Sequence, residues 1–332
     1  MILELLQQKK DLLISSANNM AAIYLHDHPD FPALLTILEE ETGIIAGLVE
    51  KDYWIMHSLY GLKNQGYQFQ LKGGTSLSKG FGLIDRFSED IDMHINPPAA
   101  LGINENPNNS NVKNIEKKRN YYDQLAAEIK IEGVVEVKRD NAFDDTRRYN
   151  SGGIRLFYKT HTGVIEGVKE GILLEAGYDT VAPNVPVTIT SWAYEKAIEN
   201  QRLNLIDNRA VGIPCYDYRY TFVEKLQTIA TKFRREIETG EVSTNYMRQY
   251  FDVYSLLADP TVQGFIGMPG YHQHKEKRFP EDDFAIPVNK NEAFLLSEPA
   301  IRERLQKRYE ATKSLYSIWR SEERRVGKEC RS

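Results

Sequence analysis

The chain has 332 residues, of which 41% are hydrophobic and 27% charged, so it is long enough for one large globular domain or two smaller ones. No run approaches the roughly eighteen uninterrupted apolar residues of a membrane span, and no secretory signal pattern opens the chain, so we expect a cytoplasmic protein without a membrane segment. Cys215 and Cys330 lie far apart in no paired spacing, which argues against a disulfide framework or a zinc site. The formal net charge of −5 argues against a general nucleic-acid coat.

Helical periodicity dominates the first part of the chain, residues 1–66. Apolar residues recur every three to four positions, for example between Leu34 and Leu38 and between Val49 and Leu59. Glycines then interrupt the pattern, and Tyr67–Leu71 alternates apolar and polar residues with the period of a half-buried strand. We therefore predict an N-terminal helical segment over residues 1–66.

Short strands characterise the next part of the chain, residues 67–190. The strand at Tyr67–Leu71 leads into a glycine pair and a short helix, and a second strand follows at Ile91–Ile95. Residues 96–114 are rich in Asn and Pro and predict a loop. Beyond that loop the patterns predict a helix at Ile115–Ile131 and strands at Val134–Val137, Gly153–Tyr158 and Ile172–Gly177.

Helical spacing returns in residues 191–319. The predicted helices are Trp192–Asn200, Phe222–Glu236, Tyr246–Leu257 and Glu292–Trp319, with a loop-rich stretch over residues 260–290. The last thirteen residues, 320–332, resemble a common sequencing adapter translated in frame, and we exclude them from the predicted fold. The fold class expected from this order is mixed α+β.

The first chemical signal is the run Lys72-Gly73-Gly74-Thr75-Ser76, which follows a predicted strand. Two glycines let the backbone approach a ligand closely, because neither residue carries a Cβ atom. Hydroxyl groups at the start of the following helix, with its N–H groups, would complete a cradle for phosphate. A glycine pair alone is more often a plain tight turn.

The second signal is the pair Asp90 and Asp92 on the next predicted strand. Residues two apart on a strand point to the same face, so both carboxylates would enter one site, where they repel each other. A divalent cation with a preference for oxygen ligands, such as Mg²⁺, would neutralise them. Without the glycine turn, the same two residues would indicate only a solvated strand end.

Together these stretches resemble the polymerase β superfamily of nucleotidyltransferases, and more specifically the AbiEii/AbiGii toxin family. The resemblance extends over roughly residues 45–260. It is carried by Lys72–Leu77, Arg86–Asp92, Val49–Trp54, Phe222–Leu226 and Arg248–Tyr254, which occur in the family's order. It implies a polymerase β-like nucleotidyltransferase core with N-terminal helices and a helical C-terminal half.

The resemblance also implies roles for individual residues. Asp90 and Asp92 would be catalytic metal ligands, and a third carboxylate on a neighbouring strand would be a ligand or a base, with Glu175 the candidate and Asp179 the alternative. Asp252 would be a functional acid and Lys225 a phosphate contact. The substrate-binding set would comprise Gly73, Gly74, Thr75, Ser76, Lys79, Arg86, Ser88 and Lys225.

Several of these residues have simpler interpretations when the family is set aside. Lys225 lies in an apolar helix, from which its long side chain could extend to solvent and do nothing else. Asp252, between two apolar residues, would either face water or pair with a cation. Arg86 could neutralise the aspartates or hold a phosphate. The histidine pairs His26/His28 and His272/His274 have ligand-like spacing, but no third ligand is near them in the sequence, so we interpret them as structural.

The function implied by the resemblance is a Mg²⁺-dependent toxin that transfers a nucleotide from an NTP to a hydroxyl group, restrained by a cognate antitoxin encoded nearby. The expected acceptor is RNA, at a tRNA 3′ end, held by the basic stretches Lys117–Arg119, Arg147–Arg148 and Lys232–Arg235. Each stretch alone is more often a solvated surface. The alternatives are a small-molecule, antibiotic-type nucleotidyltransferase and a non-catalytic nucleotide-binding regulator.

Overall fold

The computed structural model describes residues 21–163, 165, 168–179, 181–200, 203–243 and 245–312. The adapter-like tail at residues 320–332, the end of the last predicted helix and the first twenty residues lie outside this part of the chain. No helix in the described ranges combines the length and hydrophobicity that crossing a membrane requires.

Helices account for much of the described chain. They are α1 (Phe31–Thr42), α2 (Ala46–Asn64), α3 (Val112–Glu128), α4 (Trp192–Ile198), α5 (Tyr218–Thr239), α6 (Tyr246–Leu257), α7 (Pro260–Phe265), α8 (Pro269–Arg278), α9 (Glu281–Phe284), α10 (Glu292–Leu295) and α11 (Pro299–Thr312). Polar side chains cap several of them, as when Ser191 accepts a hydrogen bond from the Tyr194 amide and Asp217 accepts one from the Arg219 amide. These caps satisfy amides that a helix start would otherwise leave unpaired.

Seven strands form one mixed sheet. They are β1 (Phe69–Lys72), β2 (Asp90–Ile95), β3 (Val134–Arg139), β4 (Ser151–Tyr158), β5 (Ile172–Gly177), β6 (Asn184–Ile189) and β7 (Ala210–Tyr216), in the spatial order β3-β4-β5-β2-β1-β7-β6. Strand β2 lies at the centre, antiparallel to β1 and parallel to β5. The mixed α+β class predicted from the sequence is confirmed.

The connection between β1 and β2 begins with two short helical turns, Gly73–Thr75 and Ser76–Gly80, which we call the glycine turn. Leu77 of this turn is fully buried with Ile84 among apolar residues of the C-terminal helices. A larger apolar core lies between α2 and the sheet and includes Leu71 and Ile91. The glycine turn is therefore anchored in the apolar core of the C-terminal helices, whereas β1 and β2, which flank it, pack in the core between α2 and the sheet.

Three sequence predictions were wrong. Strand β7 lies where we expected only helices, and β6, at the end of residues 67–190, was not predicted; β6 contains Pro186, which is tolerated because β6 is an edge strand. Residues 260–290 contain the short helices α7, α8 and α9, of which the first two begin at prolines. The single helix predicted from Glu292 is divided into α10 and α11, because Leu296 adopts a left-handed conformation with φ 46°.

Two of the histidines lie in a buried aromatic cluster with Tyr53. His26 Nδ1 is 2.8 Å from Tyr53 Oη, and His57 Nε2–H donates to the Glu132 carbonyl at 2.9 Å. His57 Nδ1 accepts from the Asn208 amide at 2.8 Å, so the neutral imidazole is fully bonded. Burial lowers the pKa of both imidazoles to about 4. Both histidines are thus neutral structural groups at pH 7.

This burial predicts a pH dependence of stability. Below pH 6.5 the unfolded chain binds a proton at His57 that the folded chain does not bind until about pH 4, so acidification through this window lowers the free energy of unfolding. Between pH 7 and pH 5 we expect the wild type to lose about 2 kcal/mol more stability than His57→Gln, which lacks the titrating group. Urea unfolding at the two pH values measures this difference, and equal losses in both proteins would contradict it.

Candidate active site

Two predicted carboxylates lie on the central strand, and the sheet supplies the third. The pairing of β1, β2 and β5 places Lys72, Asp92 and Glu175 directly opposite one another across three strands. Asp90 lies two residues before Asp92 and so projects from the same face. Lys72, Asp92 and Glu175 thus lie side by side at the centre of the sheet, with Asp90 next to them.

The electrostatics of this cluster reflect both burial and crowding. Burial raises the pKa of Glu175 to about 7, and the charges of Asp92 and Asp90 contribute to the rise. Burial also raises the pKa of Asp92, and the charge of Asp90 raises it further. The carboxylates therefore resist being ionised together, and a bound cation would relieve this cost.

Three cationic side chains act on Asp92 from different elements. Lys72 of β1, Lys225 of α5 and Arg248 of α6 each lower its pKa, although burial outweighs them. Two of these three come from the C-terminal helices, so the sheet and the helical half contribute to one site. Such a group of cations beside a carboxylate pair suits a polyphosphate that is held next to a metal ion.

The glycines of the turn are required by how closely the backbone approaches the aspartates. Gly73 has a φ of +71°, and a Cβ atom there would lie 2.1 Å from Asp92 Oδ2. A Cβ on Gly74 would lie 2.6 Å from Ser88 Oγ and 2.9 Å from an Arg86 nitrogen. The turn therefore approaches Asp92 closely at Gly73, and Ser88 and Arg86 closely at Gly74.

The hydroxyl groups of the turn hold its backbone in place. Thr75 Oγ1 donates to the Asp90 carbonyl at 2.5 Å, and Ser76 Oγ donates to the Gly73 carbonyl at 2.9 Å. Both side chains are fully buried. Their contribution to a phosphate cradle would thus be to fix the conformation of the glycines, while the backbone meets the ligand.

The donor set fits a divalent cation in its chemistry. Asp90, Asp92 and Glu175 offer only carboxylate oxygens, and Asp90 Oδ1 is a buried atom without a hydrogen-bond partner in the described chain. Asp90 Oδ2 forms an ion pair of 2.6 Å with Lys169 Nζ. Within the described residues no three such side chains converge closely enough to hold a metal ion as they stand. Holding one would therefore require side-chain rotation.

A second charged cluster joins the β1–β2 connection to the C-terminal helices. Arg86 donates two hydrogen bonds of 2.7 Å to the two carboxylate oxygens of Asp252, and Lys225 Nζ lies 2.6 Å from Asp252 Oδ2. Asp252 is fully buried, and although burial works against it, Lys225 and Arg86 hold its pKa below the ordinary value. Asp252 thus positions two cations, and Lys225 does not extend freely into solvent.

Asp179, the alternative third carboxylate, has other partners. It accepts hydrogen bonds of 2.7 and 2.8 Å from the Arg278 guanidinium, and Lys72 Nζ lies 3.7 Å from it. Despite its burial, these cations lower the pKa of Asp179. The register instead places Glu175 opposite Asp92, so the geometry favours Glu175 for the third position.

Several contacts of charged residues near the site were not predicted from the sequence. Lys169, which contacts Asp90, follows β4 in a connecting loop and carries no local signal. Lys51 donates to Glu89, and Glu89 accepts from the Lys169 amide at 3.0 Å. Lys79, predicted to bind substrate, pairs with the buried Asp52 at 2.7 Å. Only the three-dimensional pairing of distant residues reveals these contacts.

A strand with two aspartates, a glycine turn against it and a carboxylate on the adjacent strand is the arrangement that the resemblance to nucleotidyltransferases implies. Residues 57–317 match the family described as nucleotidyl transferase AbiEii toxin, type IV toxin–antitoxin system. Because the match covers more than half of the chain, the chain belongs to this family and is a nucleotidyltransferase. The family predicted from the sequence is thereby confirmed.

Among solved structures, the chain is similar to an antigenic nucleotidyltransferase-like protein from Paracoccidioides brasiliensis, with a TM-score of 0.38 and 10% sequence identity, over 81% of this chain and 93% of that chain. No curated protein sequence matches the chain with significance.

Proposed function

We propose that the chain transfers a nucleoside monophosphate from an NTP to a hydroxyl group, using Mg²⁺ held by Asp90, Asp92 and Glu175. The observation that supports this most strongly is the register of Lys72, Asp92 and Glu175 across three strands, with the glycine turn against Asp92. When bound, Mg²⁺ would neutralise the carboxylates and polarise the phosphoryl oxygens. The protein's own residues supply the remaining steps of binding and orientation.

In this proposal the triphosphate binds beside Asp92. The charges of Lys72, Lys225 and Arg248 all act on this carboxylate, and Gly73 and Gly74, which have no Cβ atom, allow close approach of the backbone. Asp252 pairs with Lys225 at 2.6 Å, and Ser88 and Arg86 lie next to the turn at Gly74. Catalysis of phosphoryl transfer depends chiefly on such positioning and charge.

For the acceptor we propose RNA, at a tRNA 3′ end, although the net charge of −5 opposes it. The basic stretches offer fewer free cations than the sequence suggested, because Lys118 is fully buried and Arg234 is paired with Asp283. Lys117 and Arg119 on α3 remain exposed. With few phosphate contacts, the affinity for RNA should depend only weakly on salt, by a log–log slope of roughly 0.7 per contact.

Membership of a type IV toxin–antitoxin family implies a toxin with a cognate antitoxin. We propose that the protein acts in the cytoplasm, the compartment that contains both NTPs and tRNA. Its gene neighbour would encode the antitoxin.

The acceptor can be tested directly with purified protein. Incubation with Mg²⁺ and each α-labelled NTP, in the presence of total tRNA, should transfer label to tRNA, and EDTA should abolish the transfer. Periodate-oxidised tRNA, which lacks a free 3′ hydroxyl, is the matched control and should remain unlabelled. A parallel reaction contains aminoglycosides and nucleosides in place of tRNA.

Two outcomes would contradict the proposal. Label that enters only the small molecules would favour the antibiotic-type enzyme. NTP that binds without any transfer would favour a non-catalytic regulator.

A further inference from the structure

A cavity of about 270 Å³ lies beside the glycine turn, and Asp92 is not among the residues that line it. We call it the aromatic cavity. Its lining comes from α2, the glycine turn, the connection that follows the turn, and the start of α4, and includes Asp52, Lys79, Arg86, Phe87, Ser88 and Trp192. Every residue that lines it belongs to the described part of the chain.

The aromatic cavity is joined to the active site through the residues beside Gly74. Ser88 and Arg86 line the cavity, and both would also be in close contact with a Cβ atom on Gly74. Ser88 precedes the first aspartate of β2 by two residues. A ligand in the cavity would thus lie beside the same turn that contacts Asp92.

Both cations of the cavity wall are paired with carboxylates, and the exposed Asp85, which also lines the cavity, adds a negative charge. Lys79 pairs with the fully buried Asp52 at 2.7 Å, and Arg86 is held by two hydrogen bonds to Asp252. A wall with two paired cations and a further carboxylate attracts a phosphate only weakly. The wall therefore favours a neutral polar ligand.

The remaining wall is aromatic and hydroxylic. The rings of Phe87 and Trp192 lie 6.3 Å apart at 44°, and Lys79 Nζ lies 5.0 Å from the centre of the Trp192 ring. The Trp192 amide donates to Asp52 at 2.9 Å, which fixes the start of α4 against α2. Ser88 and Thr190 add hydroxyl groups. At about 270 Å³ the cavity is slightly smaller than the roughly 300–1,000 Å³ of drug-sized sites, so it suits one planar ring system.

We propose that the aromatic cavity binds a nucleobase next to Trp192. This inference rests on the proposed function, which supplies two possible sources of the base: the NTP and the terminal nucleotide of an RNA acceptor. Both present the same chemistry, a neutral planar ring with hydrogen-bonding edges. Aromatic side chains accept such rings by stacking, and polar groups fix their orientation.

Equilibrium dialysis in Mg²⁺ tests the proposal with two separate probes, labelled NTP without RNA and labelled tRNA without NTP. Trp192→Ala should weaken the binding of one probe by about tenfold or more, and that probe identifies the source of the base. Trp192→Phe, which keeps a ring, should restore binding to within about threefold of the wild type. Phe284→Ala is the matched control, since Phe284 is 42% exposed and does not line the cavity.

Unchanged affinities for both probes in a folded Trp192→Ala protein would overturn the proposal. If that variant does not fold, NTPs and tRNA with photoactivatable bases can be cross-linked to the wild type. Cross-links at Phe87 or Trp192 would support the proposal, and cross-links only outside the cavity would overturn it.

These binding measurements do not depend on turnover. Base binding at Trp192 without nucleotide transfer would refute the proposed function alone. Transfer to tRNA with unchanged affinities in Trp192→Ala would refute the cavity proposal alone.

Discussion

The Asp252→Asn variant is expected to lose about 3–5 kcal/mol of folding free energy, because two buried cations would lose their counter-charge. Arg86 is 3% exposed and Lys225 is 8% exposed, so water cannot replace the carboxylate. Asn can accept hydrogen bonds through one oxygen only, and it carries no charge. Urea unfolding followed by circular dichroism measures the loss.

A matched change at an exposed ion pair controls for the loss of a carboxylate as such. Asp207 pairs with Arg209 at 2.6 Å, but their side chains are 50% and 36% exposed. Asp207→Asn should therefore cost less than about 1 kcal/mol. Similar losses in the two variants would show that the Arg86–Asp252–Lys225 cluster does not join the two halves of the chain as we infer.

The Asp92→Asn variant is expected to behave in the opposite way, with a large loss of activity and no loss of stability. Removing this carboxylate should lower the rate of nucleotide transfer by roughly a thousandfold, since it removes a proposed metal ligand at the reacting phosphate. Burial raises the pKa of Asp92, so its charge opposes folding at pH 7 and its removal relieves that cost. Single-turnover transfer from labelled NTP and urea unfolding in EDTA measure the two effects.

Asp282→Asn is a suitable control for this variant, because Asp282 is 77% exposed and lies far along the chain on α9. It should transfer nucleotide at the wild-type rate. Full activity in Asp92→Asn would remove the basis for the proposed metal site. Lost activity together with lost stability would indicate that Asp92 serves the fold.

The sequence predicted those parts of the site that depend on neighbouring residues. Asp90 and Asp92 share a face because a strand has a period of two, and the glycine turn is required by local backbone geometry. Local patterns could not decide whether Glu175 or Asp179 is the third carboxylate. It depends on the parallel pairing of β2 with β5, which joins residues more than eighty positions apart.

Neither the ion pair between Arg86 and Asp252 nor the edge strand β6 could be predicted from the local sequence. Arg86 and Asp252 are separated by 166 positions, so no local pattern reveals that they pair. Strand β6 was missed because Pro186 argues against a central strand, whereas at an edge it leaves no interstrand bond unmade. Tertiary contacts rather than local preference determine both features.

We propose that a metal ion held by Asp90, Asp92 and Glu175 acts on the α-phosphate of the NTP. NTPs in which sulfur replaces a non-bridging oxygen of that phosphate test this directly, because Mg²⁺ prefers oxygen and softer metals tolerate sulfur. For one of the two thio isomers, we predict that single-turnover transfer to tRNA is slow in Mg²⁺ and recovers at least tenfold, relative to the oxygen NTP, when Mn²⁺ or Cd²⁺ is added. Equal rates for both isomers in every metal, or transfer in EDTA, would contradict the claim.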